Sequence, residues 1–91
     1  MSIQWLFDVI QSRKKNFSKS SYTSSLFEEG LAKIAQKVGE EGTEVVVAAL
    51  AQNDQRLIEE IADLTYHTLV LLAARGLTPA DVLVELEKRH K

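Results

Sequence analysis

The 91-residue sequence contains no cysteine, one proline and four glycines. The absence of cysteine excludes a disulfide framework, a thiolate metal site and a cysteine nucleophile. So little proline and glycine excludes collagen-like and low-complexity chains. The longest apolar runs, residues 45–51 and 68–74, are much shorter than a membrane span. The basic cluster at residues 13–15 follows the first apolar stretch, the reverse of a secretory signal, so we expect a cytoplasmic protein.

The composition is that of a small globular protein, with 45% hydrophobic and 26% charged residues, and we expect residues 1–91 to form a single domain. A net charge of −2 argues against binding to nucleic acid through phosphate neutralisation. The charge is unevenly distributed, because residues 13–37 are mainly basic and residues 40–63 mainly acidic. This pattern suggests lysines that hold an anionic ligand and carboxylates that hold a metal. Solvated helix faces would give the same pattern.

Hydrophobic spacing predicts an all-α fold of about four helices, with no credible strand. Ser2 can cap the first helix, and Gly76 can end the third. Thr78 followed by Pro79 is a typical start for the last helix. The serine-rich residues 16–25 are predicted to form a loop. The predicted helices cover about residues 3–15, 26–51, 54–75 and 79–90.

The third predicted helix is apolar around nearly its whole circumference, and such a helix must be buried on more than one side. Its predicted core stripe consists of Leu57, Ile61, Leu64, Thr68 and Leu71. Further apolar residues lie outside that stripe: Ile58, Leu69, Val70 and Leu72. A chain this short cannot easily cover both faces, so we expect a homodimer in which this helix is central to a helical bundle. The aromatic residues expected in the core or the interface are Trp5, Phe7 and Phe17.

Two pairs of acidic residues have the same spacing on consecutive predicted helices. Glu41 and Glu44 are three residues apart, as are Glu60 and Asp63. The core stripe predicted for the second helix consists of Leu31, Ile34, Val38, Val45 and Ala49. Glu41 and Glu60 fall at the edges of their core stripes, so the pairs can converge. Four carboxylates with no cysteine nearby suit a hard cation such as Mg²⁺ or Mn²⁺. A solvated acidic surface is the alternative.

Three basic or titratable side chains lie near these acids in sequence. Lys37, one turn before Glu41, can contact a phosphate or form an intrahelical ion pair with that glutamate. Lys33 projects similarly one turn earlier. His67, one turn after Asp63, can be a ligand or a proton carrier, but a histidine hydrogen-bonded across helices is the favoured interpretation.

Three segments of the sequence resemble the phosphoribosyl-ATP pyrophosphatase family, which belongs to the wider MazG-like all-α nucleoside-triphosphate pyrophosphatases. The segments are SYT at residues 21–23, IAQKVGEEGTEV at 34–45 and EEIADLTYHTLVLLAARG at 59–76. The resemblance covers about residues 18–90. It implies hydrolysis of 1-(5-phosphoribosyl)-ATP to 1-(5-phosphoribosyl)-AMP and pyrophosphate, the second step of histidine biosynthesis. It also implies dependence on Mg²⁺ and a dimer of helical subunits.

The resemblance also assigns roles to the acidic residues. The implied metal ligands are Glu41, Glu44, Glu60 and Asp63. Glu41 or Glu44 would orient or deprotonate the attacking water, and the sequence does not decide between them.

The resemblance suggests substrate-binding residues as well. Lys33 and Lys37 would take up phosphate charge, and a loop containing Tyr22 and Thr23 would close over the substrate. Two alternatives stay open at this point. One is a house-cleaning pyrophosphatase acting on free nucleoside triphosphates, and the other is a non-catalytic helical dimerisation module.

Overall fold

The computed structural model describes residues 1–90, and helices make up most of this part of the chain. No strand occurs within these residues, which confirms the predicted all-α class. The five helices are α1 (Ile3–Lys15), α2 (Tyr22–Glu29), α3 (Leu31–Ala51), α4 (Asp54–Ala74) and α5 (Pro79–Arg89).

Local side-chain contacts fix the start of most of the helices. The side chains of Ser2 and Asn53 each accept a hydrogen bond from the backbone N–H three residues further on, at the starts of α1 and α4. Thr78 and Asp81 form a reciprocal capping box at the start of α5. Gly76 follows the end of α4 with a φ of 72°, a conformation that favours glycine. These boundaries confirm the predicted ones.

The predicted loop at residues 16–25 is correct only for residues 16–21, and the predicted single helix over residues 26–51 is wrong. Residues 22–29 form α2. Ser21 caps the start of this helix, because its hydroxyl accepts a hydrogen bond from the N–H of Ser24. Gly30 then separates α2 from α3 with a φ of 102°, a value that residues with a side chain rarely adopt. Residues 1–90 therefore form five helices, and the serine-rich segment is helical in its second half.

The hydrophobic core lies where α1 and α2 meet the start of α3 and the C-terminal half of α4. It consists of Phe7, Ile10, Leu26, Ile34, Leu69, Val70 and Ala73. Two polar contacts hold α1 in place. The buried Ser24 hydroxyl donates to the carbonyl of Arg13 (3.2 Å), and the Lys14 ammonium donates to the carbonyl of Ala73 (2.7 Å). This core anchors one end of the α3–α4 pair.

The predicted core stripes are rotated relative to the buried faces. Leu69 and Val70, predicted to lie outside the stripe of α4, are in the core, whereas Ile61 within that stripe is exposed. Leu31 on α3 is exposed as well. The buried residues of α3 are Ile34, Glu41 and Ala48, which are seven residues apart. The two helices pack through the faces that carry the acids, so the apolar stripes lie to one side of their contact.

Much of the apolar surface of the chain has no partner within residues 1–90. Three aromatic residues were expected in the core or the interface. Only Phe7 belongs to the core, whereas Trp5 and Phe17 are exposed. Helix α5 has no buried residue. The exposed aliphatic residues of the long helices and of α5 include Val46, Leu50, Ile58, Ile61, Val82, Leu83, Val84 and Leu86. No helix in the described part of the chain combines the length and the apolar character needed to cross a bilayer.

Candidate metal and substrate site

Three carboxylates meet between α3 and α4, two helices that are joined by residues 52–53 and pack against each other. Glu41, Glu60 and Asp63 each offer one oxygen, and these oxygens lie within 4.8 Å of one another. Glu41 is 6% and Glu60 5% exposed, while Asp63 is open to solvent. We call Glu41, Glu44, Glu60 and Asp63 the acid cluster.

The sequence predicted that the two buried glutamates lie at the edge of the helix contact. The structure does not place them there. Glu41 is midway between Ile34 and Ala48 on the buried face of α3, and Glu60 is seven residues from the buried His67 on α4. They therefore lie in the middle of the α3–α4 interface. Burying charged groups there is unfavourable unless each finds an opposite charge or a metal.

Each buried glutamate is paired through one oxygen only. Lys37 Nζ lies 3.4 Å from Glu41 Oε1, and Arg56 forms the same i,i+4 pair with Glu60 Oε1. The other oxygen, Oε2, is buried without a hydrogen-bond partner in both residues. A buried acceptor without a partner loses its hydration and gains nothing in return. Two such oxygens beside the carboxylate of Asp63 form a donor set suited to a hard divalent cation.

Glu44 completes the acid cluster from the solvent side. Its side chain is exposed, and the neighbouring carboxyl groups of Glu60 and then of Glu41 raise its pKa from 4.5 to about 7. Carboxyl groups this close cannot all be ionised cheaply in the absence of a cation. The three converging carboxylates do not include Glu44, and its role as a fourth cation ligand stays a prediction.

Lys37 forms the intrahelical ion pair that was one of its two predicted roles. Besides Glu41, its ammonium lies 3.8 Å from Glu40. Burial lowers the pKa of Lys37, but Tyr22, Glu41 and Glu40 outweigh that effect and raise it above its ordinary value. About a quarter of the side chain is exposed, so the ammonium remains accessible to a ligand. Lys33 is exposed and forms no ion pair within residues 1–90.

Tyr22, on the first turn of α2, reaches across to α4. Its hydroxyl lies 2.9 Å from Nε2 of His67, and Nδ1 of that imidazole lies 2.7 Å from the backbone carbonyl of Asp63. His67 is buried, and Tyr66 packs edge-on against it with 5.4 Å between ring centroids. This confirms the predicted hydrogen bond across helices. Tyr22 itself is 52% exposed.

Two residues of segment 21–23, Tyr22 and Thr23, were predicted to contact substrate. The structure places them in different surroundings. Tyr22 is near the acid cluster through His67, whereas the side chain of Thr23 is 7% exposed on the inner side of α2. A substrate contact from Thr23 would have to use this buried side chain. Both residues belong to a helix and not to the expected loop.

Arg56 contacts the acid cluster and was not among the predicted site residues. Its pairing with Glu60 repeats that of Lys37 with Glu41, at the same i,i+4 spacing. That shared spacing was the available signal. The contact between Tyr22 and His67 had no comparable signal, because 45 residues separate the two.

A family model described as phosphoribosyl-ATP pyrophosphohydrolase matches residues 4–90 of this chain. The chain belongs to the phosphoribosyl-ATP pyrophosphohydrolase family. Among curated relatives, the phosphoribosyl-ATP pyrophosphatase of Pyrobaculum calidifontis is 52% identical over 89 residues, covering 98% of this chain and 95% of that protein. The protein of the same name from Sulfolobus acidocaldarius is 47% identical, covering 98% and 94%.

Another relative carries a second activity in its name. The histidine biosynthesis bifunctional protein of Xylella fastidiosa is 49% identical over 83 residues, which are 91% of this chain and 40% of that longer protein. Membership of the phosphoribosyl-ATP pyrophosphohydrolase family confirms the resemblance described from residues 21–23, 34–45 and 59–76.

Proposed function

We propose that the chain, as a single domain of residues 1–91, hydrolyses 1-(5-phosphoribosyl)-ATP to 1-(5-phosphoribosyl)-AMP and pyrophosphate in the second step of histidine biosynthesis. One observation carries the proposal. Glu41 and Glu60 each hold an unpartnered buried carboxylate oxygen, in a chain that belongs to the phosphoribosyl-ATP pyrophosphohydrolase family.

The acid cluster fits Mg²⁺, with Mn²⁺ as a possible substitute, because its donors are all carboxylate oxygens and two of them lack any other partner. Its ligands would be Glu41, Glu44, Glu60 and Asp63. When bound, the cation supplies positive charge that offsets the negative charge on the phosphate oxygens.

The basic residues have two tasks. Lys37 and Arg56 hold one oxygen of each buried glutamate, which orients both carboxylates toward the interior of the cluster. Lys37 is also accessible enough to contact a phosphate, and Lys33 lies one turn earlier on the same helix. Tyr22 borders the same region through its contact with His67.

Hydrolysis requires that water adds to a phosphorus atom while the bond between the α- and β-phosphates breaks and pyrophosphate leaves. The proton released by the water must pass to a base. Glu41 and Glu44 are the candidates, and exposure favours Glu44, because the free oxygen of Glu41 is buried whereas Glu44 is reached by solvent.

The proposal includes a homodimer. Large aliphatic residues are exposed on α3, α4 and α5, and such residues grouped in a patch are typical of an interaction surface. A groove of about 500 Å³ between α1, α4 and α5 is lined by Leu64, Leu72, Val82 and Leu83 among others. A second copy of the chain would cover this surface. The cytoplasmic location expected from the sequence stays a prediction.

The test is release of pyrophosphate from phosphoribosyl-ATP, ATP and dITP, each with and without Mg²⁺. The proposal predicts Mg²⁺-dependent release from phosphoribosyl-ATP and little from the free triphosphates. Release mainly from ATP or dITP would assign the chain to the house-cleaning activity. No release from any of the three would contradict an enzymatic function.

A further inference from the structure

Three groups form a directional chain of hydrogen bonds at the edge of the acid cluster. The hydroxyl of Tyr22 lies 2.9 Å from Nε2 of His67, and Nδ1 of His67 lies 2.7 Å from the carbonyl oxygen of Asp63. A carbonyl oxygen can only accept, so Nδ1 must carry a proton and donate it. The carbonyl thereby fixes the state of one ring nitrogen.

The state of the second nitrogen follows for a neutral imidazole. With the proton on Nδ1, Nε2 has only a lone pair and must accept a hydrogen bond. The Tyr22 hydroxyl is its partner, so the phenol proton points toward His67.

The oxygen of Tyr22 consequently presents lone pairs, and no proton, to its exposed side. Half of this side chain is open to solvent beside the acid cluster. Triphosphate oxygens are acceptors too, so they are poor partners for this oxygen. We propose that Tyr22 binds the substrate as a hydrogen-bond acceptor for a ribose hydroxyl, an inference that rests on the proposed function. His67 is the positioning residue, because it fixes the direction in which the Tyr22 hydroxyl donates.

A ribose hydroxyl is the appropriate donor for two reasons. The acid cluster and Lys37 are the groups suited to the triphosphate, and the ribose attached to that triphosphate carries the nearest hydroxyl donors of the substrate.

Tyr22→Phe combined with deoxy substrates tests the polarity. KM is measured for phosphoribosyl-ATP and for its analogues lacking the 2′- or the 3′-hydroxyl of the ribose next to the triphosphate. We expect the variant to raise KM for the intact substrate about three- to tenfold, the usual range for a neutral hydrogen bond. With one of the two deoxy analogues, wild type and variant should then have the same KM. An equal rise in KM for all three substrates would mean that Tyr22 donates to a phosphate, and would overturn the proposal.

Two variants of His67 separate its positioning role from a structural one. His67→Asn keeps a donor near the carbonyl of Asp63 but withdraws the acceptor from Tyr22. His67→Gln can still offer an oxygen to the hydroxyl. We expect the asparagine variant to lose the discrimination between the intact and the deoxy substrate, and the glutamine variant to retain most of it. Equal discrimination in both variants, with helical circular dichroism unchanged, would overturn the role of His67.

A spectroscopic measurement tests the polarity without any substrate. Long-range ¹H–¹⁵N correlation spectra of the wild-type protein at about pH 8, where free histidine is neutral, report which ring nitrogen carries the proton. The proposal requires a protonated Nδ1 and an unprotonated Nε2 in His67. A protonated Nε2 would contradict it. If the wild type failed to hydrolyse phosphoribosyl-ATP, the proposed function would fail while this tautomer measurement would still decide the polarity.

Discussion

At the scale of the residue, the same arrangement appears on two helices. A basic side chain holds one oxygen of a buried glutamate four residues later, and the second oxygen of that glutamate is left without a partner. The basic partner offsets part of the cost of burying the charge, and the pairing fixes the direction of the free oxygen. This explains how an α-helix interface can contain Glu41 and Glu60 and still present them to a cation.

Replacing either buried glutamate by glutamine should separate activity from stability. We expect Glu41→Gln or Glu60→Gln to lower kcat/KM for phosphoribosyl-ATP by at least about a hundredfold, because each removes a cation ligand of the proposed site. The metal-free variants should be as stable as the wild type or more so, because a repelling charge is gone.

The measurements are steady-state kinetics and thermal unfolding in a chelator. Glu40→Gln is the matched control, since it makes the same change one residue earlier in an exposed side chain, and it should keep nearly full activity. If the Glu41 variant lost helicity in the chelator, the glutamate would be structural and the assignment would be wrong.

The raised pKa of Glu44 predicts how the stability of the metal-free protein depends on pH. The neighbouring carboxyl groups of Glu60 and Glu41 raise this pKa from 4.5 to about 7 in the folded state. Folding thus favours the protonated carboxyl, and this contribution to stability is complete below about pH 4.5 and lost as the pH rises through about 7. In a chelator, the melting temperature should fall between about pH 5 and pH 7.5.

Thermal unfolding of Glu44→Gln over the same pH range checks the origin of this fall. The variant should lose less stability than the wild type as the pH rises, and Mg²⁺ should restore the melting temperature of the wild type at the upper end. Identical pH profiles for the two proteins would rule out Glu44 as the source.

At the scale of the element, the position of α2 depends on Gly30. Its φ of 102° lets α2 end and α3 begin within one residue, and α2 carries Tyr22 to His67. Gly39, by contrast, lies inside α3 with ordinary helical backbone and nothing within 4 Å of the position of an added Cβ. The backbone at position 30 therefore favours glycine, whereas the backbone at position 39 accepts a residue with a side chain.

Alanine substitutions at these two glycines should change stability in opposite directions. Gly30→Ala should destabilise the fold by about 1–2 kcal/mol, because a side chain disfavours positive φ. Gly39→Ala should stabilise it by about 0.5–1 kcal/mol, because alanine is the better helix former. Urea unfolding measures both free energies. A destabilised Gly39→Ala together with an unaffected Gly30→Ala would contradict the described break between α2 and α3.

Helix boundaries were predictable from the sequence wherever a local signal exists. Ser2, Asn53 and the Thr78–Asp81 capping box begin helices at the predicted places. Helix α2 was missed because its serine-rich start has the composition of a loop, and because the apolar spacing continues across Gly30. Only the backbone dihedral at that glycine distinguishes one helix from two.

The candidate site was predictable in part for the same kind of reason. The spacing of the acids on each helix is local, and three of the acids that it singled out, Glu41, Glu60 and Asp63, are brought together by the fold. Their burial was not predictable, because it depends on how α3 and α4 are rotated against each other. The contact between Tyr22 and His67 depends on how α2, which packs against α1 and α3, is placed relative to α4, and no local spacing encodes that placement.

At the scale of the whole molecule, the notable feature is how much apolar surface one chain leaves open. Ile58 on α4 is 62% exposed, and all of α5 lies on the surface. The core residues of α4 are Leu69, Val70 and Ala73, and burial of this helix on a second side stays a prediction. A homodimer would supply that second side.

Ile58→Glu tests the proposed dimer. In a monomer this exposed position should tolerate glutamate, whereas a buried glutamate in an apolar interface would weaken association by at least about tenfold. Analytical ultracentrifugation should show a dimer for the wild type and for the control Gln52→Glu, and a monomer for Ile58→Glu. A wild type that is monomeric, or an Ile58→Glu variant that remains dimeric with unchanged affinity, would show that this face of α4 is not the interface.

The most direct test of the acid cluster as a cation site is a calorimetric titration of the metal-free protein with Mg²⁺. The comparison is between the wild type, Glu60→Gln and the control Glu59→Gln, whose side chain is exposed on the adjacent position of α4. We predict saturable binding to the wild type and to the control, and binding at least about tenfold weaker for Glu60→Gln. Equal binding to all three proteins, or no binding to any of them, would contradict the assignment of the buried carboxylates to a divalent cation.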